Sequence, residues 1–405
     1  MNNLIQKNTL SKPYLAQLKN GFVRELHDIL HWWSTHMVDE RNGGFYGRID
    51  GHGKLHAEAD KGAILNTRIL WTYSAAAIAT NLPQYKQMAH RAYDYVCQHF
   101  WDELEGGVFW SVDSQGNPAD TQKQIYAQAF AIYALSEYYF LTKNRSALDK
   151  ATELFWLIEK YSLDQEKGGY LSAFAKDWSN MDDIRLSEKD ANEAKIMNTH
   201  LHILEAYTNY FRVSPTTALK DALANCIELF LQHFYIPENG SMHIYFDENW
   251  QPKGNDISFG HNVEASWLLW EAAEILGNEH LLRRVRPACL HLAEAVFNAA
   301  IDKDGAIFYE AGPSGIKDTD KHWWPQAEAV VGFWNAYELT GEEKFAEAAI
   351  NCWHFIKQFL FNKEHGEWHW RTDRFGVPNL LEDLAGPWKA PYHNGRMCLE
   401  MLRRL

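Results

Sequence analysis

Residues 258–274, SFGHNVEASWLLWEAAE, read as a helix that is polar at its entrance and apolar along the rest of its length. Ser258 is a candidate N-cap, because its hydroxyl can accept from an unpaired N–H of the first turn. His261 and Glu264 lie three residues apart and therefore share a face near the helix start. Ala265, Leu268, Leu269, Ala272 and Leu276 then recur at helical spacing and belong to a core. Such a helix suits the wall of a pocket, and five other segments of the chain share its layout.

The pattern repeats six times. Short alternating stretches punctuated by Gly and Asp or Asn occur at NGGFYGRID (42–50), EGGVFWSVDSQGNP (105–118), KGGYLSAFAKDW (167–178), NGSMHIYFDENWQP (239–252), DGAIFYEAGPSG (304–315) and HGEWHWRTDRFGVP (365–378). Taking Gly44, Gly107, Gly169, Gly240, Gly305 and Gly366 as markers, successive spacings are 63, 62, 71, 65 and 61 residues. These stretches read as hairpins. An amphipathic helix precedes each one, at 14–37, 84–101, 146–161, 216–234, 279–299 and 342–361. A more apolar helix follows each, at 62–80, 122–141, 193–212, 259–276, 324–340 and 391–404. Helices polar on one face belong outside and helices apolar all round belong inside. The expected fold is therefore all-α, an (α/α)6 toroid with short β-hairpins between outer and inner helices, formed by one domain over 1–405.

Composition narrows the function. Hydrophobic residues are 46% and charged residues 23%, a globular balance. Seventeen Trp, 19 Tyr and 21 Phe suit a site that stacks flat faces, as sugar rings require. A formal net charge of −14 argues against nucleic acid or an anionic membrane as partner. The N-terminal stretch MNNLIQKNTLSKPY lacks an apolar leader core, and no run is long and apolar enough to span a bilayer. Five scattered cysteines without a CxxC fit free thiols in a reducing compartment, so the expectation is a cytoplasmic protein, monomeric or a weak homodimer.

In this architecture all six inner helices start after a hairpin, so their first turns converge on one face. They bring Asn66 and Arg68, Tyr126 and Gln128, Asn198, His200 and His202, then His261, Asn262 and Glu264. The last two bring Trp323, Trp324, Gln326 and Glu328, then Trp388, Tyr392, His393 and Arg396. Three histidines from three helices dominate this set. A zinc site is disfavoured, because His200 and His202 point roughly 200° apart on a helix and no HExxH is present. His200 is read as structural for the same reason. A glycosidase needs two carboxylates, which Glu264, Glu328 and Asp190 offer, but histidines hold the central positions. A non-catalytic sugar-binding toroid would keep the tryptophans without those histidines. Histidine is suited to moving protons on carbon near neutral pH. Two of them flanking a carbon next to a carbonyl can remove a proton from one face and return one to the other, with Arg68 and the helix N-termini holding the developing oxyanion. No GxGxxG or P-loop is present, so no cofactor is expected. Of Trp323 and Trp324, one is expected to pack and Trp324 to face the pocket. Tyr126 is either core or a substrate contact and Glu328 either helix support or a pocket hydrogen bond, and both are counted among the substrate contacts. His243, His322 and His369 read as hairpin or rim residues.

The motifs NTHLHILEAY (198–207), GHNVEASWLL (260–269), HWWPQAEAVVGFWNAYELTG (322–341) and GPWKAPYHNGRM (386–397) resemble those of the N-acylglucosamine 2-epimerase superfamily. The resemblance spans nearly the whole chain. It implies an (α/α)6 barrel and a cofactor-independent 2-epimerase acting on the reducing-end sugar of a β-1,4-linked disaccharide such as cellobiose, lactose or mannobiose. Relatives of the same fold act as aldose–ketose isomerases or on N-acylglucosamine. By the same resemblance, His261 and His393 are the acid/base pair working through a cis-enediol, His202 assists ring opening, and Arg68 binds the O1/O2 region. Asn198 and Glu264 orient substrate or histidine, Trp324 and Trp388 stack on sugar rings, and Asp190 lies on a loop over the site.

Overall fold

The computed structural model describes residues 10–405; residues 1–9, part of the stretch read for a leader, lie outside the described residues. Among the described residues, twelve α-helices alternate between an outer and an inner ring. The outer ring is α1 (Lys12–His36), α3 (Pro83–Tyr95), α5 (Arg145–Leu157), α7 (Thr217–Leu229), α9 (Glu279–Ala300) and α11 (Glu343–Phe355). The inner ring is α2 (Ala63–Thr80), α4 (Ile125–Thr142), α6 (Met197–Val213), α8 (Phe259–Leu276), α10 (Trp323–Thr340) and α12 (Tyr392–Arg404). Each inner helix packs on the next, and α12 closes the ring against α2. Burial follows the sequence pattern: α2 buries 14 of 18 residues, whereas α3 buries 5 of 13. The fold is the expected (α/α)6 toroid.

Two inner helices start later than their hydrophobic pattern predicts, α4 at Ile125 and α6 at Met197. The preceding residues are drawn into sheet instead. Lys123–Gln124 pairs with Ala173–Phe174 of the following hairpin, and Lys195–Ile196 pairs with Tyr245–Phe246. The same pairing joins Lys61–Gly62 to Ser111–Val112, Ile257–Ser258 to Glu310–Gly312 and Lys321–His322 to Arg371–Thr372. A bridge between Ile49 and Ala385 completes the circuit. Every helix entrance is thus tied to the next repeat.

Buried ion pairs seat the hairpins. Lys61, Lys123 and Lys195, each fully buried, donate to Asp39, Asp102 and Asp164 at 2.8, 2.8 and 2.9 Å. Lys321 pairs with Asp302 at 3.1 Å, and Lys389 with Glu367 at 3.3 Å. Breaking such a pair leaves an unpaired buried charge, which costs about 3–5 kcal/mol. Only the fourth repeat lacks the lysine and has Ile257 in its place. Gln128 adds a two-pronged grip on Val108, accepting from its N–H and donating to its carbonyl. Gln326 grips Ile307 in the same way. His200 accepts from the Tyr170 N–H at 2.9 Å, which ties it to the hairpin. Glycine is required where the hairpin meets the helix: a Cβ on Gly107, at φ +78°, would lie 2.8 Å from the Gln128 oxygen.

Candidate active site

The repeat register builds the site. Counting from Lys61, Lys123, Lys195, Ile257, Lys321 and Lys389, the seventh residue onward is Arg68, Phe130, His202, Glu264, Glu328 and Arg396. The fourth residue is His261 in α8 and His393 in α12, and the third is Tyr126, Asn198 and Trp324 in α4, α6 and α10. Of these rows, all but Phe130, Glu328 and Arg396 line a cavity of about 820 Å³ at the N-terminal ends of the inner helices. His202, His261, His393, Arg68, Tyr126, Asn198, Glu264, Trp324, Trp388 and Asp190 all reach its wall.

Each histidine is held through Nδ1, which leaves Nε2 for the cavity. His202 pairs with Glu205 at 2.8 Å, His393 with Glu328 at 2.7 Å, and His261 with the Ser258 hydroxyl at 2.7 Å. Ser258 also caps α8, accepting from the His261 N–H at 3.4 Å. Burial pushes His261 and His393 down to about 3, and it also lowers His202 against the pull of Glu205. Burial thus favours the neutral imidazole in all three. The Trp324 ring spans the pair, 4.7 Å from the His261 ring and 5.5 Å from that of His393.

Arg68 donates to the Tyr126 hydroxyl at 2.9 Å and the Trp388 carbonyl at 3.1 Å, while its Nε has no partner. The Asn198 Oδ1 and Glu264 Oε2 are likewise buried without partners. Burial and the neighbouring Glu328 raise Glu264. Asp190 accepts from Ser187 at 2.6 Å and from Tyr245 at 2.8 Å, so its loop is tied down over the cavity. Glu264, Glu328 and His393 stand close enough to share a cation. Arg396 takes that place, donating to the two carboxylates at 2.5 and 2.7 Å.

Two expectations need correction. Glu328, named among the substrate contacts, does not reach the wall; His393 and Arg396 occupy Oε1, and Trp267 donates to Oε2 at 3.0 Å. Trp323 and Trp324 both line the cavity, because Trp323 turns in against Trp370, with ring centroids 4.6 Å apart.

Known proteins resemble the chain over nearly its whole length. Residues 44–395 match the family model of N-acylglucosamine 2-epimerase (GlcNAc 2-epimerase). The chain belongs to that family. A cellobiose 2-epimerase of Bacteroides fragilis is 48% identical over 95% of this chain and 98% of its own. One from Ruminococcus albus is 39% identical over 94% and 97%. The solved cellobiose 2-epimerase of Bacillus thermoamylovorans superposes with a TM-score of 0.93 at 38% identity, covering 96% of this chain and all of that one.

As a carbohydrate epimerase of this family, the chain carries parts that helix-entrance patterns alone do not announce. Glu205 is readable in principle, since it follows His202 by three residues on one helix face. His322, expected at a hairpin or rim, is 8% exposed and stacks on Tyr309 at 3.9 Å in the cavity wall, with Nε2 unpartnered. Nothing in the local pattern marks it, because the stack joins the strand that enters α10 to a hairpin residue earlier in the chain.

Proposed function

We propose that the protein interconverts the glucose and mannose forms of the reducing-end sugar in β-1,4-linked disaccharides, cellobiose among them, by proton transfer at C2. The observation that carries this reading is the pair His261 and His393, facing one cavity and bridged by one tryptophan. His202 moves the proton that opens the sugar ring. One histidine then takes the C2 proton, the electron pair moves into the C1–C2 bond, and the C1 oxygen gains charge beside Arg68. The opposite histidine, protonated, delivers a proton to the other face of C2, and the ring closes. Where that histidine is His393, the Glu328 carboxylate at its Nδ1 stabilises the imidazolium.

Trp324 and Trp388 offer faces for sugar rings, and the cavity is large enough for two of them. The whole chain acts as one catalytic domain, since one core cluster runs from Leu18 to Met401. It needs no cofactor or metal and works as a cytoplasmic monomer or weak homodimer. No helix among the described residues is long and apolar enough to cross a membrane. Incubation with cellobiose in D2O, followed by NMR of the product, tests the reaction: glucosyl-mannose with deuterium at C2 is expected. Product carrying no solvent deuterium over many turnovers, or glucose released by hydrolysis, would refute it.

A further inference from the structure

We propose that Arg396 is a positioning residue that keeps Glu205 and Glu328 ionised, and so able only to accept, thereby fixing the tautomers of His202 and His393. The proposal rests on the epimerase reading above. Arg396 is 1% exposed and lies between the Trp267 and Tyr392 rings. Nη1 donates to Glu205 and to the Tyr392 hydroxyl, and Nη2 donates to Glu264 and Glu328. One guanidinium therefore serves three carboxylates from three helices. Two of those carboxylates hold a histidine through Nδ1.

The charged and titratable groups around it come from every inner helix: Arg68 on α2, Tyr126 and Tyr133 on α4, His202 on α6, and Tyr392 and His393 on α12, besides the three glutamates on α6, α8 and α10. Burial drives Glu205 and Glu328 upward, and Arg396 is the largest influence opposing it in each. An ionised carboxylate has no hydrogen to give, so the imidazole must place its own on Nδ1 and present a bare Nε2 to the sugar. Without Arg396, three buried carboxylates cannot all stay charged. A protonated Glu205 or Glu328 would donate to Nδ1, and the proton on Nε2 would block the base.

Three measurements test this. Arg396→Gln should lower kcat by about 100-fold with KM within about threefold, a loss of orientation rather than of binding. Its acidic limb should move up by about one pH unit or more, so that the loss narrows in alkali as the carboxylates ionise again. Arg396→Lys, which keeps the charge without the planar fork, should retain the wild-type limb at an intermediate kcat. Nitrogen-15 NMR of histidine-labelled wild-type protein should show His202 and His393 protonated at Nδ1 at neutral pH. An unshifted acidic limb in Arg396→Gln overturns the proposal. So do Nε2–H tautomers in the wild type, a result that decides the matter even where the Gln variant does not fold. A wild type that leaves cellobiose unchanged refutes the epimerase reading instead, and the spectra then judge the network alone.

Discussion

The two histidines proposed to flank C2 are held by different chemistry. His393 rests on Glu328, a carboxylate buried to 1% exposure within the Arg396 network. His261 rests on Ser258, a hydroxyl at the cap of its own helix. An ionised carboxylate only accepts, so it enforces Nδ1–H on His393 and stabilises the imidazolium once Nε2 has taken a proton. A hydroxyl accepts or donates, so Ser258 serves His261 in both protonation states. One side of the cavity fixes the tautomer of its histidine, and the other leaves it free to change. The difference follows from the repeat: Ser258 belongs to the one repeat without an entry lysine, and its strand leads straight into the cap.

The largest effect that can break this comparison is loss of either histidine. His261→Asn and His393→Asn should each lower epimerisation by about 10²–10⁴-fold, the usual worth of a positioned acid or base. The double variant should be little worse, because either loss already blocks the path. Each single variant should still exchange the C2 proton of one epimer in D2O through the surviving face. Near-wild-type epimerisation by either would return the question to Glu264.

Glu328→Gln comes next. A neutral amide that can also donate no longer enforces the tautomer, and about 100-fold should be lost from kcat. The loss should be lopsided. Deuterium exchange from the epimer whose C2 proton faces His393 should fall by about that factor, with exchange from the other epimer changing less than about fivefold. Equal loss from both would erase the asymmetry argued here.

Much of this was legible in the sequence because one residue pattern recurs. The period of Gly44 through Gly366 gave the twelve helices and their order, and the convergence of helix starts gave His202, His261 and His393 on one cavity. What stood behind the wall was harder to read. Glu328 and Arg396 look like pocket residues in a linear pattern, since both stand seven residues past an entry lysine, as His202 does. Which of that row faces sugar and which turns into the ring of charge depends on the tilt of each helix against its neighbours. The Tyr309–His322 stack, joining different hairpins, had no linear signature either.

The tryptophans separate chemistry from binding. Trp324 touches both histidine rings, whereas Trp388 packs on Trp110 and Tyr126 with centroids 5.8 and 6.0 Å away and supplies its carbonyl to Arg68. Trp388→Ala should therefore raise KM for cellobiose by roughly two- to twelvefold, about 0.5–1.5 kcal/mol of aromatic contact, with a smaller change in kcat. Trp324→Ala should lower kcat as well, because both imidazoles lose their common support. Steady-state kinetics on both variants makes the distinction, and equal patterns would show that Trp388 also orients the reacting carbon.

The smallest effect is expected at Ser258, and it tests the weaker half of the comparison. Ser258→Ala removes the hydroxyl beside His261 Nδ1 and the cap of α8 together. Loss of the cap should cost about 0.5–2 kcal/mol, with the lower end favoured because the capping contact is long at 3.4 Å. A modest fall in melting temperature should follow. The rate should fall only a few-fold, to about a third, since a water molecule can take the place of a group that merely had to accept or donate. Exchange in D2O should now be impaired mainly for the epimer whose C2 proton faces His261, the mirror image of Glu328→Gln. Ser258→Thr provides the control, because it keeps the hydroxyl and should preserve both cap and rate. A loss at Ser258→Ala equal to that of Glu328→Gln would mean that the hydroxyl fixes its histidine no less firmly than the carboxylate does, and the two sides of the cavity would then be equivalent.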